Sequence, residues 1–180
     1  MIFHETKLAG AYIVELDKKE DPRGCFARAF CAEELRRHGV DFQVVQANIS
    51  HNHQKGTLRG MHYQALPARE PKFIRCIRGA VWDVIVDMRP GSPTYLQYFG
   101  VELSADNGRA IYVPDMLAHG NQALTDGAEL LYLMGGCYSP DHACGLRHDD
   151  PAIGIEWPLP VSAIHEKDCG WPLLQVNHCT

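Results

Sequence analysis

The stretch KFIRCIRGAVWDVIVDM, residues 72–88, decides the fold class. Over residues 81–88 the apolar Trp82, Val84, Val86 and Met88 share one face of an extended strand, and Asp83, Ile85 and Asp87 share the other. The preceding Lys72–Arg78 reads as a second strand, and Gly79-Ala80 between the two predicts the turn of a β-hairpin. Working outward, further short strands are expected at 12–16, 57–64, 96–103, 109–113 and 129–134. Turn signals separate them, among them Arg89-Pro90-Gly91-Ser92-Pro93, Asp106-Asn107-Gly108 and Thr125-Asp126-Gly127. A helix is predicted at Ala32–Arg37, stopped by Gly39 as a left-handed cap. Many short strands with almost no helix predict an all-β sandwich or small barrel.

Composition agrees. A chain of 180 residues has room for one ordinary domain with its own core, and no repeat or linker divides it. A single domain over 1–180 is expected, with 175–180 as a loose tail. Its 46% apolar and 22% charged residues exclude the disordered and fibrous classes, and 16 Gly with 11 Pro favour a turn-rich β fold. The net charge of −5 is not gathered into runs, which argues against a nucleic-acid or membrane surface. An anionic ligand would be held by a few placed basic residues. The opening MIFHETKLAG, interrupted by His4, Glu5 and Lys7, is expected to be neither signal peptide nor membrane anchor. Seven scattered cysteines without a Cys-x-x-Cys pair read as reduced thiols, so a cytoplasmic location is expected rather than a disulfide framework.

Arg59, Met61 and Tyr63 alternate with Leu58, Gly60, His62 and Gln64, and an interior bearing His and Lys is expected to be a binding cavity rather than a filled core. A strand histidine alone is ordinarily a satisfied, half-buried side chain. His62 gains weight from Lys72 at the start of the next strand, His119 after a proline-bearing turn, and Tyr132 in mid-strand. A base, a cation for an enolate oxygen and a phenol are a sufficient set for proton transfer beside a carbonyl.

Barrels of cupin type often bind metal. Gly108, Pro114 and His119 fit the spacing of the second cupin motif, but Met116 replaces its second glycine and Ala123 stands where Asn is expected. His51-Asn52-His53 is followed by Gln54, Lys55 and Gly56, with no carboxylate in reach. A stable site needs three or more well-placed ligands, so His51 and His53 are expected to be loop residues and no metal is expected.

The chain resembles the dTDP-4-dehydrorhamnose 3,5-epimerases. The resemblance runs from about Phe3 to Leu174 and rests on ordered motifs: Asp21-Pro22-Arg23-Gly24, Gln46-Ala47-Asn48, residues 58–64, Ser92-Pro93-Thr94, Val113-Pro114, Ala118-His119-Gly120, residues 149–158 and Glu166-Lys167-Asp168. It implies a cofactor-independent, metal-free, homodimeric cupin-type jelly-roll β-barrel with a few short helices, acting on a nucleotide-linked 4-keto-6-deoxy sugar. By the same resemblance His62 is the base, Asp168 orients it, Lys72 holds the enolate oxygen and Tyr132 is the opposing proton donor. Arg23 and Arg59 match diphosphate contacts, where a guanidinium fork suits phosphate oxygens. Gln46, Asn48, His119 and Lys167 match other ligand contacts, and Tyr138 an aromatic near the base. Arg78 and Arg89, outside the matched positions, are expected to form surface salt bridges.

The chain departs from the family pattern at Arg28, Ala47, Ala143 and Leu133-Met134-Gly135. These changes bear on substrate identity more than on chemistry. The alternatives are a single-centre epimerase or ketoisomerase on another nucleotide sugar, and, outside enzymes, a sugar-binding cupin.

Overall fold

The structure is a computed structural model that describes residues 1–175. Of the loose tail expected at 175–180, residues 176–180 therefore lie outside the described residues. In chain order the first elements are β1 (Ile2–Glu5), β2 (Tyr12–Glu15), β3 (Lys19–Asp21), β4 (Gly24–Phe26), α1 (Ala32–Arg37), β5 (Gln46–Asn52), β6 (Leu58–Gln64) and β7 (Lys72–Arg78). They continue as β8 (Ala80–Asp87), β9 (Tyr98–Ser104), β10 (Ala110–Val113), β11 (Leu117–Ala123), β12 (Ala128–Met134), β13 (Ala143–Gly145) and α2 (Glu166–Cys169). The architecture is the expected all-β jelly-roll barrel of cupin type. One sheet has the order β1-β2-β10-β7-β12-β5 and the other β13-β6-β11-β8-β9, with β3-β4 as a separate two-stranded hairpin.

Three layers of apolar side chains hold the sheets. Between them lie Ile13, Ile74, Ile111 and Leu130 from the first sheet and Val81, Ile85, Leu103 and Leu117 from the second. Outside the first sheet, Phe73 and Tyr112 are covered by Leu35 of α1 together with Val40 and Phe42. Outside the second, Met61, Val84, Val86 and Ala118 are covered by Leu146, Ile153, Ile155, Trp157 and Leu174. Strands covered on both faces carry apolar residues on both, which is why residues 72–88 read so strongly as sheet. Helix α1 ends as predicted: Gly39 takes φ +76°, and its N–H donates to the Arg36 carbonyl at 3.0 Å.

The hairpin expected at Gly79-Ala80 does not form. β7 pairs with β10 and β12, whereas β8 pairs with β11 and β9 in the other sheet. Gly79, at φ +67°, turns the chain from one sheet to the other, and the Ala80 N–H donates to Thr125 Oγ1. Adjacency in sequence suggested pairing; each strand instead found longer-range partners.

The strict alternation expected along β6 also breaks. His62 lies opposite His119 and Arg59 opposite Asn121, so two residues of β6 face the single Gly120 of β11. This bulge puts Arg59 and His62, three residues apart, on the same cavity. Glycine is needed at the crossing: Gly60 has φ +118°, and a Cβ there would stand 2.5 Å from the Gly120 Cα.

Strands β5 and β11 carry no apolar alternation, because they turn polar side chains to the cavity, and β5 is also a sheet edge with an exposed first half. His51, expected in a loop, lies in β5 and its Nδ1 bonds Glu129 at 3.0 Å; His53 follows the strand. Met116, at the motif's glycine position, takes φ +61°, the left-handed conformation a glycine adopts freely. Arg78 does pair on the surface with Glu129 at 3.7 Å. Arg89 does not: it bonds the fully buried Asp87 at 2.7 Å and the Ala9 carbonyl at 2.8 Å. Asp87 also accepts from Ser92 and Thr94, each at 2.6 Å. Burial would raise its carboxyl, but these bonds, that of Arg89 foremost, hold it far below the usual range.

Candidate active site

Both sheets open onto one cavity of about 740 Å³. From the five-stranded sheet β6 supplies Arg59 and His62, and β11 supplies His119 and Asn121. From the six-stranded sheet come Asn48 of β5, Lys72 of β7 and Tyr132 of β12. Lys167 and Asp168 enter on α2, and Tyr138 from the segment after β12. Nine of the eleven residues singled out in the sequence therefore line one space. Arg23 does not: it sits in the turn of the β3-β4 hairpin, 90% exposed, bonded to Asp21 at 2.7 Å. Gln46 lies just outside, at the exposed start of β5, two residues from Asn48 and so on the same strand face.

His62 and Asp168 are 106 residues apart in sequence and 2.6 Å apart in space, His62 Nε2 to Asp168 Oδ1. A carboxylate only accepts, so Nε2 carries a proton, and in the neutral imidazole Nδ1 keeps its lone pair. The second Asp168 oxygen accepts the Gly60 N–H at 3.1 Å, which ties the carboxylate to the bulge that places His62. Burial alone would raise the Asp168 carboxyl; the bonds from His62 and from Gly60 outweigh it and hold it below the usual carboxylate range.

Lys72 is nearly buried and pairs with Glu70 at 2.6 Å, its Nζ also donating to the Glu70 carbonyl at 3.2 Å. Glu70 is held in turn by its own N–H, which donates to Asp115 at 2.9 Å. Tyr132 is partly buried in the cavity wall. Burial, with a further push from Asp83, drives its phenol far above the ordinary tyrosine range, so it stays protonated. His119 bonds Asp83 at 2.8 Å, and its ring meets that of Tyr132 edge-on at 5.8 Å. Arg59 is fixed by Asn52 Oδ1 at 2.8 Å and by the His51 carbonyl at 3.0 Å, with neither partner a carboxylate. Among the described residues no group of three or more His, Cys, Asp or Glu side chains is placed to hold a metal ion, and no helix is long and apolar enough to cross a membrane.

Sequence reading missed three participants. Glu70 stood outside any strand pattern and Asn121 in a strand that lacked one. Asp83 did carry a signal, as a carboxylate in mid-strand on the face it shares with Ile85 and Asp87; it is fully buried behind His119.

The cavity as a whole offers a base with an oriented carboxylate, a cation and a neutral phenol around one space, the groups needed to move a proton beside a ketone. Comparison with known proteins points the same way. The sequence profile of the dTDP-4-dehydrorhamnose 3,5-epimerase family matches residues 5–176. A dTDP-4-dehydrorhamnose 3,5-epimerase of Sinorhizobium fredii is 40% identical, over 97% of this chain and 90% of that protein. The crystal structure of a dTDP-4-dehydrorhamnose 3,5-epimerase from Bacillus anthracis, with TDP and pyrophosphate bound, has a TM-score of 0.92 at 37% identity, covering 96% of this chain and 99% of that one. A dTDP-6-deoxy-D-glucose-3,5-epimerase from Legionella pneumophila, in complex with dTDP-4-keto-L-rhamnose, has a TM-score of 0.88 at 35% identity, covering 96% and 92%. With sequence and fold matching over nearly its whole length, the chain belongs to the dTDP-4-dehydrorhamnose 3,5-epimerase family.

Proposed function

We propose that this chain, working as one catalytic domain, epimerises a dTDP-linked 4-keto-6-deoxy sugar by proton abstraction and return beside the ketone. The observation that carries the reading is the convergence of His62–Asp168, Lys72 and Tyr132 on one cavity. His62 Nδ1 takes the proton from the carbon next to the ketone, and the electron pair moves to the ketone oxygen. Lys72 faces that oxygen and stabilises the enolate. Tyr132 stands on the opposite sheet from His62 and returns a proton to the other face of the carbon, which inverts it. Asn48, His119, Tyr138 and Lys167 contact the ligand, Gln46 sits at the rim, and the Arg59 fork takes the diphosphate. The departures from the family pattern leave all four of these groups in place, so the chemistry stands and the number of centres inverted is what experiment decides.

Proton NMR of the protein with dTDP-4-keto-6-deoxyglucose in deuterated water tests this. Loss of both the C3 and C5 proton signals is expected. Loss of one marks a single-centre enzyme, and a product with its carbonyl on a neighbouring carbon marks a ketoisomerase. No exchange with dTDP-, CDP- or GDP-linked substrates would leave a sugar-binding cupin.

The active form in this reading is a homodimer, as the exposed Phe26, Val45 and Ile49 suggest. Arg23 lies outside its own cavity on a hairpin that, among the described residues, pairs only with itself, so its diphosphate contact is made across the dimer. Mixing inactive Arg23→Ala and His62→Ala proteins under exchanging conditions is then expected to restore about a quarter of the wild-type activity, since half the dimers carry one intact site. If Arg23 serves its own chain, no activity returns.

A further inference from the structure

The Tyr132 hydroxyl is met inside the cavity by a side chain from β11. Asn121 Nδ2 donates to the Tyr132 oxygen at 3.1 Å, and Asn121 is 1% exposed. A phenol has one proton to give. With an amide N–H on its oxygen, that proton is not directed at Asn121, and no other group among the described residues accepts it. Asn121 Oδ1, meanwhile, is buried without a partner. Turning the amide over would give that oxygen the phenol proton, but it would leave the Nδ2 donor unpartnered instead and withdraw the proton from the cavity. The observed orientation leaves an acceptor orphaned and the phenol proton free.

We propose that Asn121 is a positioning residue that aims the Tyr132 proton at the substrate carbon and so decides whether a hydrogen removed by His62 is replaced with inversion. The inference rests on the reading of Tyr132 as the proton donor. The step balances: the Tyr132 O–H bond breaks, the proton joins the enolate carbon, and the carbonyl re-forms. The negative charge is left on the phenolate oxygen, which the Asn121 N–H then holds until solvent returns a proton. That help matters because a phenolate set partly into the cavity wall is poorly solvated, and the Asn121 amide is the donor already on its oxygen. Without Asn121, His62 still removes a hydrogen and returns a solvent deuteron to the same face, giving exchange with retention.

The test compares inversion with deuterium incorporation, at each carbon that exchanges, in Asn121→Asp and Asn121→Leu. Aspartate has nearly the same shape but only accepts, so it captures the phenol proton; leucine does neither. In both, the ratio of inversion to exchange is expected to fall about tenfold or more while exchange itself persists. If Asn121 only packs, inversion and exchange fall together and the ratio stays at the wild-type value, which overturns the proposal. One well-folded variant is enough to decide, and the leucine variant adds no buried charge should the aspartate variant fold poorly. Tyr132→Phe is the control: if it inverts as well as wild type, the donor assignment fails and the inference fails with it, a result distinguishable from an unchanged ratio at position 121.

Discussion

In His62→Ala, exchange of the hydrogens beside the ketone with deuterated solvent should fall by about two to four decades, the usual contribution of a positioned general base. The geometry isolates this effect well. The His62 side chain is 47% exposed, so its removal opens no core cavity and the fold is retained. Its one strong bond is to Asp168, and Asp168→Asn is expected to lose activity by a comparable route, because an amide no longer fixes the imidazole tautomer. Acid should not break the pair early. The Asp168 carboxyl is held below its usual range, so the stability it contributes is present above the ordinary carboxylate range and is lost only as pH falls through the lower folded value. Exchange at the wild-type rate in His62→Ala would exclude His62 as the essential base.

Lys72→Met should lower kcat by about a hundred- to a thousandfold, the scale seen when one preorganised donor to a developing oxyanion is lost. Here stability and catalysis are entangled. Lys72 and Glu70 are 7% and 11% exposed, so removing the ammonium leaves a nearly buried carboxylate unpaired, which costs about 3–5 kcal/mol. The double variant Lys72→Met/Glu70→Gln separates the two effects: its thermal stability should recover most of the loss while its activity stays low. Recovery of activity together with stability would mean that Lys72 serves the fold and not the enolate.

The parts of this protein legible in its sequence are those that water alone organises. Residues 72–88 and the helix at Ala32–Arg37 announced themselves through apolar spacing and a terminal glycine, and both are present. The strands lining the cavity were harder. β11 carries His119 and Asn121 where an ordinary strand would bury apolar groups, so its pattern resembles a loop although every residue in it is buried. The Gly79 turn misled for a different reason: a turn between strands says that the chain changes direction, not which strand it will meet. The bulge in β6 was invisible, since the extra residue is defined only by its partner. Asp168 was found through family resemblance, because no local rule joins it to a histidine 106 residues away.

The segment that covers the outer face of the five-stranded sheet also governs when the site is completed. Ile153, Ile155, Trp157 and Leu174 hold it there, and α2 between them delivers Asp168 to His62. A ribosome makes this region after the strands of the barrel. Until it has docked, the barrel can hold its histidine and lysine yet lack the carboxylate that sets the histidine's tautomer. The pairing of His62 with Asp168 thus waits on the closing of the outer wall, and a chain whose barrel has formed still lacks it until that wall docks.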